Sequence, residues 1–428
     1  MDDMDEEMIR AGMLYDGGKS IEESTNLKVA ETGNKFLGEK LWVAETYTTR
    51  WYYGKLLAWT VKGVIKSRGW KIMSVEGCNF DEPVIRDIQI DYTQFESCVI
   101  DGQFLLEKDS TRLIIILNGV NSVQIEANEK HRRLVKSFIH SIDNFLNKHN
   151  FYKWKNLHFD GGISFLNAGQ RDWDSVILDP AMKKEIRLNT IGFLKNCAQL
   201  GKYGVPPKRG IILAGEPGTG KTIVCKALMS EADKITCIAT TAEGMVQAGY
   251  IPELFSIAQA LSPSIIFIED IDFIGQERHD SYRGTPPLIS LLAEMDGIAE
   301  KNAIVTVATS NSFESLDKAL SERPSRFDRV FRITLPAYQQ RAELVKHISR
   351  KIPLSEDVRE YIVKETNGFT PAQIQEVLHG MVISQTAGGE DMTRLNRSAV
   401  DSTIALLNIR KTGPLGFNAK TGPDARHG

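Results

Sequence analysis

Gly215-Glu216-Pro217-Gly218-Thr219-Gly220-Lys221-Thr222 stands between the apolar run Ile211-Ile212-Leu213-Ala214 and a helical pattern that begins at Ile223 and continues through Val224, Cys225, Lys226, Ala227 and Leu228. The order is strand, glycine-rich loop, helix. Its glycines let successive backbone N–H groups turn inward around phosphate oxygens, and the helix that follows adds the positive end of its dipole. Lys221 is placed to meet β- and γ-phosphates as a point charge, and Thr222 to offer its hydroxyl to Mg²⁺. A plain glycine-rich turn does not explain why every fixed position falls in this strand-to-helix context. Residues 215–223 are therefore read as the binding segment for a nucleotide, ATP with Mg²⁺.

Composition sets the outer limits. A chain of 428 residues has room for roughly two or three domains. At 42% hydrophobic and 25% charged residues it is an ordinary globular composition, and a formal charge of −3 gives no overall drive toward nucleic acid or membrane. The cysteines Cys78, Cys98, Cys197, Cys225 and Cys237 are scattered and never form a CxxC pair, which predicts reduced thiols in a cytosol-like compartment rather than disulfides or a zinc site. The start, Met1-Asp2-Asp3-Met4-Asp5-Glu6-Glu7, is acidic where a signal or transit peptide would be basic. The apolar stretch 51–65 is broken by Lys55 and Lys62, so it cannot supply the ~20 uncharged residues of a spanning helix. A cytoplasmic protein without a transmembrane segment is expected.

Along the chain, residues 1–45 are acidic and glycine-spotted and are expected to be partly flexible. Residues 46–165 read as a separate α+β recognition domain. A helix over 49–67 precedes about five short strands, over 70–75, 85–91, 99–106, 113–117 and 123–125. A helix over 129–148 closes it, apolar along Leu134, Val135, Phe138, Ile139, Ile142, Phe145 and Leu146. Its other face carries Lys130, Arg132, Arg133 and Lys136. No aromatics interleave with these charges, so a solvated helix face accounts for them better than a nucleic-acid patch.

From 166 to 338 strands over 211–214, 235–239, 265–269, 304–309 and 332–335 alternate with helical patterns. That alternation predicts an α/β domain with a parallel sheet covered on both faces, the nucleotide lying at the C-terminal strand ends. After Pro336 the pattern turns wholly helical, over 339–351, 357–366, 371–385 and 397–407, giving a small lid subdomain over 339–409. Residues 410–428 hold Gly413-Pro414, Gly416 and Gly422-Pro423 and read as a flexible tail.

A second chemical stretch is Ser264-Ile265-Ile266-Phe267-Ile268-Glu269-Asp270-Ile271-Asp272. A buried strand delivers two carboxylates beside the phosphate loop; Glu269 is assigned to the Mg²⁺ shell and Asp270 to orienting and polarising the attacking water. A third is Val307-Ala308-Thr309-Ser310-Asn311, followed by Leu316-Asp317 and Glu322-Arg323-Pro324-Ser325-Arg326-Phe327-Asp328-Arg329. Asn311 would stand beside the water and the γ-phosphate. Spacing alone does not separate functional arginines from surface charge here.

Taken together, the phosphate loop, the carboxylate strand, Leu292-Ala293-Glu294-Met295-Asp296-Gly297, Asn311 and the pair Arg323 and Arg326 resemble the AAA family of P-loop ATPases, across about residues 166 to 409. The resemblance implies that Asn311 is the first sensor, that Arg323 and Arg326 are fingers reaching a neighbour's nucleotide, and that Asp296-Gly297-Ile298 signals between subunits. It also implies that Gly368-Phe369-Thr370-Pro371-Ala372 is the lid turn against the adenine. Glu269-Asp270 replaces the usual Asp-Glu, and Ile177-Leu178 replaces the usual Gly-Gly. Both features look like the mitochondrial Rieske-protein translocase branch, which has a mainly β domain before the ATPase but also a membrane span. Between Thr241 and Glu253 the chain offers Met245-Val246 and Gly249-Tyr250, with no clean aromatic-apolar-glycine triplet, which argues against threading by aromatic paddles. The implied function is a homo-oligomeric ring ATPase, six- or seven-membered, that remodels or translocates a protein client held by the N-terminal domain. The alternative is a slow nucleotide-dependent switch or assembly factor, including one acting on nucleic acid.

Overall fold

The computed structural model describes residues 15–16, 19–20, 32, 35–38, 41–78, 81–119, 121–247, 249–276, 287–297, 303–311, 326–388 and 395–412. Most of 1–45, the pair Leu316-Asp317, Arg323, Ile298 and the tail from 413 onward lie outside the described residues. The chain divides into two compact units, one made of Met1–Lys155 with Gly162–Leu166 and the other of Asn156–Gly161 with Asn167–Gly428.

In the first unit, beyond the two-residue pair β1 (Tyr15–Asp16) and β2 (Lys19–Ser20), an antiparallel six-stranded sheet is built from β3 (Trp42–Thr48), β4 (Lys71–Glu76), β5 (Val84–Gln89), β6 (Phe95–Lys108), β7 (Thr111–Asn118) and β8 (Ser122–Asn128). The order is β3-β8-β7-β6-β4, with β5 also on β6. Strand β6 is long enough to pair Val84–Gln89 along its first half and Lys71–Glu76 along its second. Alternation sorts the side chains: Leu113, Ile115, Leu117, Val123, Ile125 and Ala127 are buried on one face, while Ile114 and Ile116 pack with Leu37 and Cys78 on the other. Helices Gly54–Ser67 and Arg132–Lys148 pack on each other and on the sheet. The strand Trp42–Thr48 was not expected, and it moves the start of this unit's fold ahead of residue 46, where the sequence had placed flexible chain.

The second unit is a parallel sheet in the order β9 (Asn156–Phe159), β12 (Thr236–Thr241), β13 (Ser264–Glu269), β14 (Ile304–Ser310), β11 (Lys208–Ala214) and β15 (Arg329–Arg332), while β10 (Ile163–Phe165) belongs to the first unit. Residues 264–268 and 304–310 are buried without a break, as strands covered on both faces must be. The last strand, Arg329–Arg332, lies upstream of the expected 332–335. It is an edge strand set by register, with Ile211 opposite Arg329 and Ala214 opposite Arg332. The apolar Ile333 and Leu335 drew the expectation toward the chain that leads to Pro336. Helices Tyr338–Ile348, Glu356–Glu365, Pro371–Ala387 and Arg397–Thr412 form the lid around Leu344, Val358, Ile362, Ile374, Leu378 and Met381, and Ile177 packs against this core.

Candidate nucleotide site

Three adjacent strand ends converge. In the order β13-β14-β11 the strands deliver Glu269, Ser310 and Ala214 side by side, so carboxylates, amide and phosphate loop meet. The Gly215 N–H donates to the Ser310 carbonyl at 3.1 Å, tying the loop to the neighbouring strand. A Cβ on Gly215 would stand 2.3 Å from the Ile333 carbonyl oxygen, so no larger residue fits. Thr219 closes the loop on itself, its hydroxyl donating to the Glu216 carbonyl at 2.8 Å. Gly218 and Gly220 have φ of +81° and +104°, a backbone that glycine adopts without strain. Gly220 caps the helix Lys221–Glu231 with no side chain in the way of its first N–H groups.

Lys221 is buried and donates to the carbonyls of Gly215 at 2.7 Å and Glu216 at 3.0 Å. Burial pushes its ammonium below the usual lysine value, with the charges of Asp270 and Asp272 pulling the other way. Asp270 has φ of +53°, and its N–H donates to the Thr309 hydroxyl at 3.0 Å. The Asn311 amide donates to Asp270 Oδ1 at 2.9 Å. Asp272 is the buried brace beneath: it accepts from the Ser310 hydroxyl at 2.7 Å and from the Asn311 backbone N–H at 2.6 Å.

Pro217, Gly218, Gly220, Lys221, Thr222, Ile223, Glu269, Asp270, Thr309 and Asn311 line one part of a single cavity of about 380 Å³. Arg171 and Ser175 of the core and Leu344, His347, Ile348, Pro371, Ala372 and Gln375 of the lid line the rest, so the lid closes one side of a cavity that the core mostly builds. The lid turn reaches the phosphate loop directly, the Ala372 N–H donating to the Gly218 carbonyl at 3.2 Å. Thr370 caps its helix reciprocally with Gln373. Burial, then the charges of Arg350 and Arg171, holds His347 below the usual histidine value.

Glu269 is half-buried, and burial followed by the charge of Asp270 raises its carboxyl above the ordinary range. A hydroxyl and neighbouring carboxylates on one cavity form a hard-oxygen set that fits Mg²⁺. Thr222 and Glu269 are the residues that would hold it.

Arg326 takes a different place. It pairs with Asp296 of its own chain, its Nε is buried with no hydrogen-bond partner, and it lines a second cavity of about 190 Å³ with Lys208, Arg209 and Met295. The two cavities share no lining residue. Sequence reading gave no role to Asp272, Thr309, Arg171 or His347. Asp272 was visible as an acidic residue spaced two from Asp270; His347 comes from a distant helix, and no spacing rule reaches it.

This strand order with its loop and carboxylates defines a P-loop nucleotide-binding fold. Residues 211–335 match the ATPase family associated with various cellular activities (AAA), so the chain carries an AAA ATPase domain together with a separate N-terminal α+β unit. The chain is similar to the ATP-dependent zinc metalloprotease FtsH 2 of Salinibacter ruber (strain M8), 35% identical over 252 residues that cover 56% of this chain and 37% of the relative. It is also similar to FtsH 3 of Sphaerobacter thermophilus, 34% identical over 236 residues, 52% of this chain and 47% of the relative. A third, FtsH of Aquifex aeolicus (strain VF5), is 34% identical over 228 residues, 50% of this chain and 35% of the relative. The chain thus spans between about a third and a half of the length of these curated relatives. These similarities reach the AAA domain and FtsH, not the narrower Rieske-protein translocase branch. Among the described residues, no helix is long and apolar enough to cross a membrane.

Proposed function

We propose that the chain hydrolyses ATP as one subunit of a homo-oligomeric ring and uses that turnover to remodel or translocate a protein client held by its N-terminal unit. The observation that carries this reading is the Asn311 amide held 2.9 Å from Asp270 on the cavity that Lys221 and Thr222 also line. The backbone N–H groups of 215–222 and Lys221 bind the triphosphate. Thr222 and Glu269 would hold Mg²⁺, which would supply neutralisation of phosphate charge. Asp270 takes its place as the group that orients and polarises water, with Asn311 fixing the carboxylate and Asp272 fixing Asn311. His347 and the lid turn enclose the base end. Arg323 and Arg326 act on a neighbouring subunit's nucleotide.

Within the family, the Glu269-Asp270 order and the mainly β unit ahead of the ATPase support a position beside the mitochondrial Rieske-protein translocase branch. Lys221→Ala, Asp270→Asn and Glu269→Gln test the site by nucleotide binding and turnover measured separately. Turnover stimulated by an unfolded protein supports the remodelling role. Stimulation by DNA or RNA alone would replace it with a nucleotide-dependent switch on nucleic acid.

A further inference from the structure

The chain enters its parallel sheet well before the region that matches the family. Strand Asn156–Phe159 lies parallel to Thr236–Thr241, with Asn156 opposite Cys237, Leu157 opposite Ile238 and His158 opposite Ala239. On its other side Thr236–Thr241 places Thr241 opposite Glu269. The strand then runs on into 242–250, part of the stretch between Thr241 and Glu253 that offers no clean aromatic-apolar-glycine triplet.

The turn after the added strand holds this segment at two points. The buried Phe159 ring meets Tyr250 edge to face, with centroids 5.9 Å apart and planes at 63°. Gly161, at φ of +65°, lies under the same ring, and a Cβ there would stand 3.0 Å from Tyr250 Cε2. Asp160 lies at Gly244, its Oδ1 3.3 Å from where a Cβ would be. Tyr250 also fixes the backbone, its N–H donating to the Met245 carbonyl at 3.1 Å and its carbonyl accepting from Leu254 at 3.0 Å. The only aromatic residue of 242–250 therefore packs on its own chain. Residues 156–161 are flanked in sequence, on both sides, by residues of the N-terminal unit.

We propose that Tyr250 is a positioning residue that ties the segment 242–250 to the strand Asn156–Phe159, so that nucleotide-driven movement at the Glu269 end of the sheet reaches the connection to the N-terminal unit. The inference rests on the ATPase reading above. It assigns Tyr250 to coupling within a subunit rather than to gripping a client. A coupled element has to respond to the distant ligand through a specific contact, not merely lie between two sites.

Hydrogen exchange read by mass spectrometry on the full chain, with and without AMP-PNP and Mg²⁺, tests it. The nucleotide should protect 215–222 and also slow exchange at 156–161 by about fivefold or more, the range of ordinary coupling between sites. Tyr250→Ala should keep the first effect and lose the second. Tyr250→Phe should keep both, because the ring edge makes the contact. Should the alanine variant fail to fold, Phe159→Leu removes the ring and keeps the apolar volume, with the same expected loss. A nucleotide response at 156–161 that persists in Tyr250→Ala or Phe159→Leu overturns the inference, as does its absence from the wild type while 215–222 is protected. Without protection at 215–222 the ATPase reading fails, and this inference with it.

Discussion

Lys221 is buried against two loop carbonyls, and its replacement by alanine removes the cation of the phosphate loop while leaving the Gly215–Ser310 hydrogen bond that shapes the loop. Lys221→Ala is therefore expected to lose tight ATP binding, measured by calorimetry, with an unchanged melting profile. Asp270→Asn should bind ATP and lose turnover by about 100-fold or more, the usual cost of removing a positioned acid–base group. Unchanged turnover in Asp270→Asn with loss in Glu269→Gln would exchange the two roles. The same carboxylates set a pH dependence. Burial and then Asp270 raise the Glu269 carboxyl, so the folded chain holds that proton more tightly than the unfolded chain does. Stability from this group is present at acid pH and declines as pH rises through the raised value. Asp270→Asn removes the neighbouring charge and should lessen that decline. Melts without nucleotide from about pH 4 to about pH 7 should show a smaller loss of melting temperature toward the neutral end in the variant than in the wild type. An identical decline in both proteins would mean that the two carboxylates do not interact.

The elements that the sequence made legible are those whose burial leaves a continuous signature: the apolar runs of Ser264–Glu269 and Ile304–Ser310, and the strand-loop-helix around Lys221. Trp42–Thr48 escaped because its alternation is meaningful only beside Ser122–Asn128, far along the chain, and because acidic, glycine-spotted sequence precedes it. Arg329–Arg332 escaped because an edge strand can be charged at both ends and still hold its register. The carboxylates and Asn311 were legible as motif positions, whereas the Asp272 brace and the His347 wall depend on strands and helices brought together only by folding. The contact between lid and loop belongs to this scale as well. Gly218 combines a φ of +81° with a Cβ position 2.9 Å from Ala372 Cβ and 3.1 Å from the Thr370 hydroxyl. Gly218→Ala should cost about 1–2 kcal/mol in backbone strain and also push the lid turn off the loop. Nucleotide affinity is expected to fall by about tenfold or more, the equivalent of a further 1.4 kcal/mol, while the chain stays folded. Unchanged affinity would remove the lid turn from the site.

At the scale of the whole molecule the question is what Arg326 serves. Arg326 lines a cavity that shares no residue with the nucleotide cavity, and its guanidinium keeps one buried donor without an acceptor. Arg326 is expected to act on the phosphates of a second copy rather than on those of its own chain. An arginine supplied in this way contributes about 10³ to 10⁵ in rate, so isolated subunits should be nearly inactive and specific activity should rise steeply with protein concentration. The sharper experiment mixes two inactive proteins. Lys221→Ala keeps its arginine and lacks a working phosphate loop; Arg326→Ala keeps its loop and lacks the arginine. The Arg326–Asp296 pair is partly exposed, so its loss should cost little more than about 1 kcal/mol and leave the fold intact. In mixed rings some intact loops face intact arginines, and partial ATPase activity should return. A mixture that stays inactive although native mass spectrometry shows mixed oligomers, or a dilute monomer that turns over at the full rate, would leave Arg326 as the cis partner of Asp296 and no more.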